Sequence, residues 1–546
     1  MRARAGRASG GGPVGVIDIG SNSARLIVYQ LEPGGHLRIL AGSRAPLRLV
    51  RDLDRARRIP ADALERAFEA LRDFRSIARG SGVRRLLAAG TSAFRDASNG
   101  EAFVRRVRRE LGIVIRVLSG VEEARYGFLG AVGGLPVRNG VQFDLGGGSL
   151  QMARFHDRRL LGALSVPLGA LRVSDGFLRS DPPTSREVRR LREHARSVLG
   201  DAGLVPLGAG ERLVGTGGTL RNIARIDQRA TGYPISRLHG FTLSRRRLRE
   251  IDADLLALRL KRRGRTSGLN QDRRDSVVGG GLVIETLMDV LGARELLVSG
   301  QGVREGLALG LLTQDLEAPE TVRAGSLEAL ARRFAGWSAD RAHRREALAA
   351  ALHSGLERFP APEMEEALAQ AARILDVGRT VDFFDRHEHV ADLVLATDLA
   401  GFTHRQVALL SAVLRRAGDE DARPRSYAPL IGREDRPSLE RGAVILALAD
   451  EITERCPPRS APVVRCRSRR GEAVVEVPAL ASWRVRGLGE RFERAFGRRL
   501  RVVPGAFRAR PSRFLSASSR RTRGWPGRER RRPRGRGSRA SARGRS

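Results

Sequence analysis

The chain carries one strand–turn–strand pattern twice, and this repetition restricts the fold more than any other feature. Val14-Gly15-Val16-Ile17-Asp18-Ile19-Gly20 leads at once into Leu26-Ile27-Val28-Tyr29. Val141-Gln142-Phe143-Asp144-Leu145-Gly146-Gly147-Gly148 leads into Leu150-Gln151-Met152-Ala153-Arg154-Phe155. Apolar runs flanking a tight polar or glycine-rich turn predict a β-hairpin, here with an Asp two residues ahead of a Gly at each tip. A P-loop would carry a Lys within the turn and a helix after it, and neither turn fits. Two similar hairpins in two halves of one molecule are the expectation.

Between and after the hairpins, strand and helix signals alternate. Residues 61–78 place Leu64, Phe68, Leu71, Phe74 and Ile77 on one helical stripe after Pro60. Leu86–Gly90 and Ile113–Leu118 read as short strands ending in polar turns, and Arg212–Thr219 as strand, glycine turn and helix start. Leu296–Gly300 repeats that logic. Alternation of this kind predicts two α/β lobes with a cleft between them, over 13–135 and 136–315. From 318 to 505 Ala, Leu and Arg dominate and helical stripes follow one another, with a strand signal at Ala473–Val477.

The formal net charge is +38, carried almost wholly by Arg, with Lys261 the only lysine. Fourteen of those arginines fall between Arg510 and Ser546, against a single Glu. Segments 1–12 and 506–546 are too poor in apolar residues to pack and are expected to be disordered. The basic tail has the charge to tether a polyanion, but a solvated extension is the expectation, with no nucleic-acid contact. No apolar run reaches the length of a membrane span, and the N-terminus lacks an apolar h-region, so a cytoplasmic protein is expected. Cys456 and Cys466 have the spacing of neither a zinc site nor a redox pair.

Several segments carry the residue types that phosphate chemistry needs. Gly20-Ser21-Asn22-Ser23 and Gly146-Gly147-Gly148-Ser149 offer turns whose backbone N–H groups form anion-binding concavities. Asp18 and Asp144 occupy equivalent places, so facing each other across the cleft they would hold a hydrated Mg²⁺. Arg95, after a buried strand, suits bidentate pairing with a terminal phosphate. Ser119-Gly120-Val121-Glu122-Glu123 opens a helix at the end of a strand. One of its carboxylates suits water activation and the other favours the helix N-terminus.

In order and spacing these stretches resemble the exopolyphosphatase/guanosine pentaphosphate phosphatase (Ppx/GppA) family. The matching segments are Asp18–Ser23, Gly90–Asn99, Ser119–Arg125, Asp144–Ser149 and Gly215–Thr219, with Asp275–Glu285 and Ser299–Gly306 also similar. The resemblance is strong over residues 14 to about 312 and loose from about 318 to 503. It implies an α/β, duplicated actin-like (ribonuclease H-like) two-lobe fold followed by a mostly helical HD-like region, and a homodimer. It also implies hydrolysis of terminal phosphate from polyphosphate or guanosine pentaphosphate with Mg²⁺ or Mn²⁺. Carried over by position, Glu123 is the catalytic base, Arg95 the phosphate-binding arginine, and Asp18 and Asp144 the metal-site carboxylates. Gly217, Gly218 and Thr219 form a third turn beside the substrate.

Three departures stand out. Gln151 replaces the family's Glu, and an amide neither takes a proton nor adds negative charge near a metal. Slower or metal-altered catalysis is expected, with an inactive polyphosphate- or nucleotide-binding sensor as the alternative. Gly300 follows Ser299 where Asp is usual. In the helical region Leu375 stands where an HD pair needs His, which argues against a metal centre there, and His387 and His389 read as surface residues. A kinase on the same scaffold would need an adenosine pocket and a hydroxyl acceptor, and the Ser119–Arg125 segment suits water instead.

Overall fold

The computed structural model describes residues 12–504 apart from 33–35, 50–56, 312–314, 419–426, 458–462, 470, 478–479, 481–482, 484 and 486. The tail at 506–546 and nearly all of segment 1–12 lie outside the described residues.

The first lobe is a five-stranded sheet in the order β3-β2-β1-β4-β5. Its strands are β1 (Val14–Ile19), β2 (Ser23–Leu31), β3 (Leu37–Pro46), β4 (Arg85–Gly90) and β5 (Ile115–Val117). Its helices are α1 (Ala61–Gly80), α2 (Ser92–Asp96), α3 (Gly100–Leu111) and α4 (Gly120–Gly133). The stripe read from the sequence puts Phe68, Leu71 and Phe74 of α1 into a core shared with Ile17, Ile19, Leu26 and Val28.

The second lobe is a six-stranded sheet in the order β10-β11-β9-β6-β7-β8. The strands are β6 (Gly140–Leu145), β7 (Leu150–His156), β8 (Arg159–Val166), β9 (Arg212–Thr216), β10 (Phe241–Ser244) and β11 (Glu295–Val298). Helices α5 (Ala170–Phe177), α6 (Ser185–Asp201), α7 (Gly218–Thr231), α8 (Arg245–Ala257), α9 (Leu260–Arg263), α10 (Val277–Val290) and α11 (Val303–Leu309) surround it.

The duplication is visible in detail. β1 pairs antiparallel with β2 and parallel with β4, as β6 does with β7 and β9. Each hairpin closes with the same bond, Gly20 N–H to Ser23 O at 3.1 Å and Gly146 N–H to Ser149 O at 3.0 Å. The register shifts at Val28/Tyr29 and at Arg154/Phe155, equivalent places in the repeat. This is the duplicated actin-like arrangement. α4 and α11 cross where side chains would not fit: a Cβ on Gly130 would stand 1.8 Å from Gly302 O, and one on Gly306 1.8 Å from Tyr126 O.

The third region is mostly helical: α12 (Pro319–Ala331), α13 (Ala339–Leu356), α14 (Pro362–Ile374), α15 (Arg386–Ala396), α16 (His404–Gly418), α17 (Arg436–Arg455) and α18 (Leu488–Phe496). A small sheet of β12 (Arg465–Arg469), β13 (Glu472–Glu476) and β14 (Arg499–Val503) closes it. Leu375 is fully buried. Beside it, Asp376 and Asp450 flank the fully buried Arg345, whose Nη2 and Nε each stand 2.8 Å from a carboxylate oxygen. Arg379 adds a 2.6 Å contact to Asp376, and Arg386 one to Asp450. Asp376, next to Leu375, is thus taken up by guanidinium groups. His387 and His389 are partly buried rather than fully exposed, and burial pulls His387 down to about 4. Both cysteines are free thiols, Cys456 buried. The helical region meets the second lobe through His404, whose Nε2 lies 2.9 Å from His239 O and Nδ1 3.0 Å from Tyr233 Oη.

Candidate phosphate site between the lobes

The two hairpin tips meet at one cleft of about 120 Å³. It is lined by Asp18, Gly20, Ser21, Asn22 and Ser23 from the first hairpin, and by Asp144, Gly146, Gly147 and Ser149 from the second. Glu123 reaches it from α4, and Gly217 and Gly218 from the start of α7. The N–H groups of Gly147 and Gly148 donate to no backbone acceptor among the described residues, and so can serve an anion. Gly217 has φ 116°, and a Cβ there would stand 2.4 Å from Leu145 O, so only glycine turns the chain from β9 into α7 here. That turn points the N-terminus of a 14-residue helix at the cleft, a position that favours phosphate.

Four arginines that sequence reading did not single out complete the wall: Arg25, Arg221, Arg273 and Arg304. Arg25 pairs in register with Asp18 on the neighbouring strand, the place that Gln151 holds beside Asp144. The hairpin register carried the signal for Arg25. Arg221 lies one turn into α7, visible once Gly217–Gly218 is taken as a helix start. Arg304 follows Gly302, and Arg273 belongs to the 3₁₀ turn Gln271–Arg273. Glu305 fixes the first turn of α11, accepting from Tyr29 Oη at 2.6 Å and from Gly302 N–H at 2.7 Å. Burial, reinforced by the charges of Arg304 and Arg221, lowers Arg25 to about 9. Burial with Arg221 and Arg44 lowers Arg273 to about 10. Buried cations that repel one another in this way would be relieved by an anion between them.

The carboxylates show the opposite strain. Burial pushes Asp144 up to about 6, against the pull of Arg221 and with the help of Asp18. Asp18 is raised by burial too, although Arg304 opposes the shift. Among the described residues neither hydrogen-bonds or ion-pairs with another side chain. A divalent cation would relieve both, so the donor set fits one. Among the described residues no cluster of three or more His, Cys, Asp or Glu side chains forms, so a hydrated Mg²⁺ held by these two carboxylates would need water and phosphate as its other ligands.

The Glu122-Glu123 pair divides its labour. Glu122 closes a capping box with Ser119, its carboxylate accepting from Ser119 N–H at 2.9 Å. Glu123, only 8% exposed, faces the cleft, and burial lifts it to about 8 against the pull of Arg95. Arg95 is not among the residues that line the cleft, and it stands beside Glu123. Its Nη1 donates to Leu118 O at 2.6 Å and to Glu123 Oε2 at 3.3 Å. Gln151 is buried and donates to Ser149 Oγ at 2.6 Å and Ser165 Oγ at 3.2 Å. Thr219 is fully buried and is not among the residues lining the cleft, while Gly148 packs against Ser92 and Ser21. At Gly300 a Cβ would press on the His239 Cβ at 3.3 Å, and the Gly300 N–H donates to His239 Nδ1. Ion pairs Arg172–Asp96 and Arg44–Asp272 span the cleft from lobe to lobe.

Known proteins share this architecture. A model of the Ppx/GppA phosphatase family matches residues 27–315, and one of Ppx/GppA phosphatase domain III matches 322–460. Exopolyphosphatase 1 of Mycobacterium tuberculosis is 32% identical over 332 residues, 60% of this chain and 96% of that protein. Exopolyphosphatase 2 of the same organism is 30% identical, over 55% of this chain and 98% of its own. A solved exopolyphosphatase-like protein superposes with a TM-score of 0.50 at 27% identity, over 55% of this chain and 97% of that one. An exopolyphosphatase from Cytophaga hutchinsonii gives 0.51 at 24% identity, over 56% and 99%, which speaks to the fold alone. With a single family model spanning more than half of its length, the chain belongs to the Ppx/GppA phosphatase family.

Proposed function

We propose that this chain removes terminal phosphate from inorganic polyphosphate by metal-assisted attack of water. One observation supports polyphosphate over a guanosine nucleotide. Four arginines and three glycine or serine turns line the cleft, but among the described residues Leu145 and Val303 are its only apolar side chains and no aromatic ring lines it. A purine has nothing to stack on, whereas a bare phosphate chain needs only cations and N–H donors. The names of the mycobacterial relatives point the same way.

In this reading the three turns and Arg25, Arg221, Arg273 and Arg304 hold the terminal phosphates. Asp18 and Asp144 would hold Mg²⁺ or Mn²⁺, which neutralises phosphate charge when bound. Glu123 takes a proton from the attacking water as its oxygen bonds to the terminal phosphorus. The bridging P–O bond breaks, giving orthophosphate and a chain one unit shorter. Arg95 acts as a positioning residue that keeps Glu123 aimed at the water. Gln151 favours a second reading, a polyphosphate-binding sensor, because its amide adds no charge beside Asp144.

The test is orthophosphate release with Mg²⁺ or Mn²⁺ from long-chain polyphosphate and from guanosine pentaphosphate at equal concentrations. The proposal requires polyphosphate to be the faster substrate. Preference for the pentaphosphate would move the assignment within the family, and binding without release from either would favour the sensor.

A further inference from the structure

Beneath Asp144, on the same face of β6, lies a polar side chain that no part of the proposed chemistry uses. Gln142 is fully buried, and neither its Nε2 nor its Oε1 meets a protein partner. Its neighbours across the sheet are Ala153 on β7 and Val214 on β9, members of an apolar layer with Phe128, Leu129 and Phe155. One step along the strand, the next rung of that face is Gln151, Asp144 and Thr216. The amide therefore stands at the boundary between the apolar layer and the carboxylate.

Helix α4 covers both rungs. One turn after Glu123 it presents Gly127, and the point where a Gly127 Cβ would stand lies 3.6 Å from Gln142 Nε2, 3.8 Å from its Oε1 and 4.0 Å from Asp144 Cβ. These are ordinary contact distances, so glycine is not required there by a clash. Its lack of a side chain instead leaves room beside both the Gln142 amide and the Asp144 side chain. Buried amides are nearly always hydrogen-bonded, to water where the protein offers nothing.

We infer that Gln142 is a positioning residue for Asp144: through one buried water held beside Gly127, its amide orients the carboxylate toward the metal site. The inference rests on the reading of Asp144 as a metal ligand. Second-layer groups of this kind fix the orientation of a ligating carboxylate, and their loss weakens metal affinity by about tenfold or more. A role confined to packing would give the opposite result, because leucine suits this apolar layer better than an orphaned amide does.

The experiment measures Mn²⁺ binding to the full-length protein without substrate, by electron paramagnetic resonance, for wild type, Gln142→Leu, Gly127→Ala and Asp144→Asn. Gln142→Leu removes the amide, and Gly127→Ala places a methyl where the water would sit. Each is expected to weaken Mn²⁺ binding about tenfold while thermal unfolding stays at or above the wild-type temperature. Asp144→Asn should weaken it further. Loss of affinity in Asp144→Asn with wild-type affinity in the other two would overturn the role of Gln142 and leave the metal reading intact. Wild-type affinity in Asp144→Asn would instead overturn the metal reading itself. Should Gln142→Leu fail to fold, Gly127→Ala decides alone.

Discussion

Arg95 holds Glu123 from the side: its Nη1 lies 3.3 Å from Glu123 Oε2 while also donating to the Leu118 carbonyl at 2.6 Å. The guanidinium is thus pinned to the strand end that precedes α4 and fixes a carboxylate that burial has lifted to about 8. A base acts only when deprotonated, and below its pKa the active fraction rises tenfold per pH unit. kcat/KM for phosphate release should therefore climb with pH and level off above about 8. Arg95→Met removes the charge that opposes the upward shift, so its limb should move to higher pH and its rate at pH 7 should fall. Profiles from pH 6 to 10 for both proteins check this, and a flat wild-type profile contradicts it.

Gln151→Glu restores a carboxylate on the strand position paired with Asp144. The new group can accept from the Ser149 and Ser165 hydroxyls to which the amide now donates, so the fold should tolerate it. Added negative charge beside Asp144 should lower the Mg²⁺ concentration for half-maximal activity by about tenfold. A titration of activity against Mg²⁺ measures this directly, and an unchanged midpoint would mean that position 151 has no influence on the metal.

The cluster around Arg345 concerns stability rather than chemistry. Removing the guanidinium leaves Asp376 and Asp450 buried without their central partner. Arg345→Leu should cost about 3–5 kcal/mol of helical-region stability. Replacing Arg345, Asp376 and Asp450 together by apolar residues should recover much of that loss. Urea unfolding followed at the tryptophans, of which Trp337 and Trp483 pack against this core, reports both.

How much of this was legible beforehand depends on where the information resides. The duplicated hairpins were readable because alternating apolar residues and a tip glycine are local features, and Asp18, Asp144 and the turns came with them. From the residues alone Glu122 and Glu123 were readable only as a pair; the family resemblance singled out Glu123, and the capping box shows why Glu122 is engaged elsewhere. Arg25, Arg221, Arg273 and Arg304 were lost among so many arginines, because only the folded chain shows which cations converge. The ion pair of Arg345 with Asp450 links α13 to α17 across a hundred residues of sequence, a distance no local pattern spans. Gln142 looked like any strand residue until its burial was seen.

His404 couples the helical region to the second lobe in one protonation state. Nε2–H donates to the His239 carbonyl, which leaves Nδ1 to accept from Tyr233 Oη. Burial, aided by Arg237, lowers its pKa to about 3. The unfolded chain takes up this proton near the ordinary value of about 6.5 and the folded chain does not. Stability from this residue is therefore full above about 6.5 and falls as pH drops toward 3, at up to about 1.4 kcal/mol per pH unit. His404→Gln keeps a donor and an acceptor but does not titrate, so its unfolding temperature should decline less steeply over that range. Parallel acid limbs for the two proteins would contradict the assignment.

The central claim is that Glu123 drives hydrolysis of a phosphate chain held between the two hairpins. Orthophosphate release from long-chain polyphosphate with Mg²⁺, by wild type and by Glu123→Gln, tests it most directly. The account predicts release by the wild type and a loss of about 10²–10⁴-fold in the variant, with polyphosphate still bound. Equal release by both would remove Glu123 from the chemistry, and binding without release by the wild type would make the protein a sensor instead of a hydrolase.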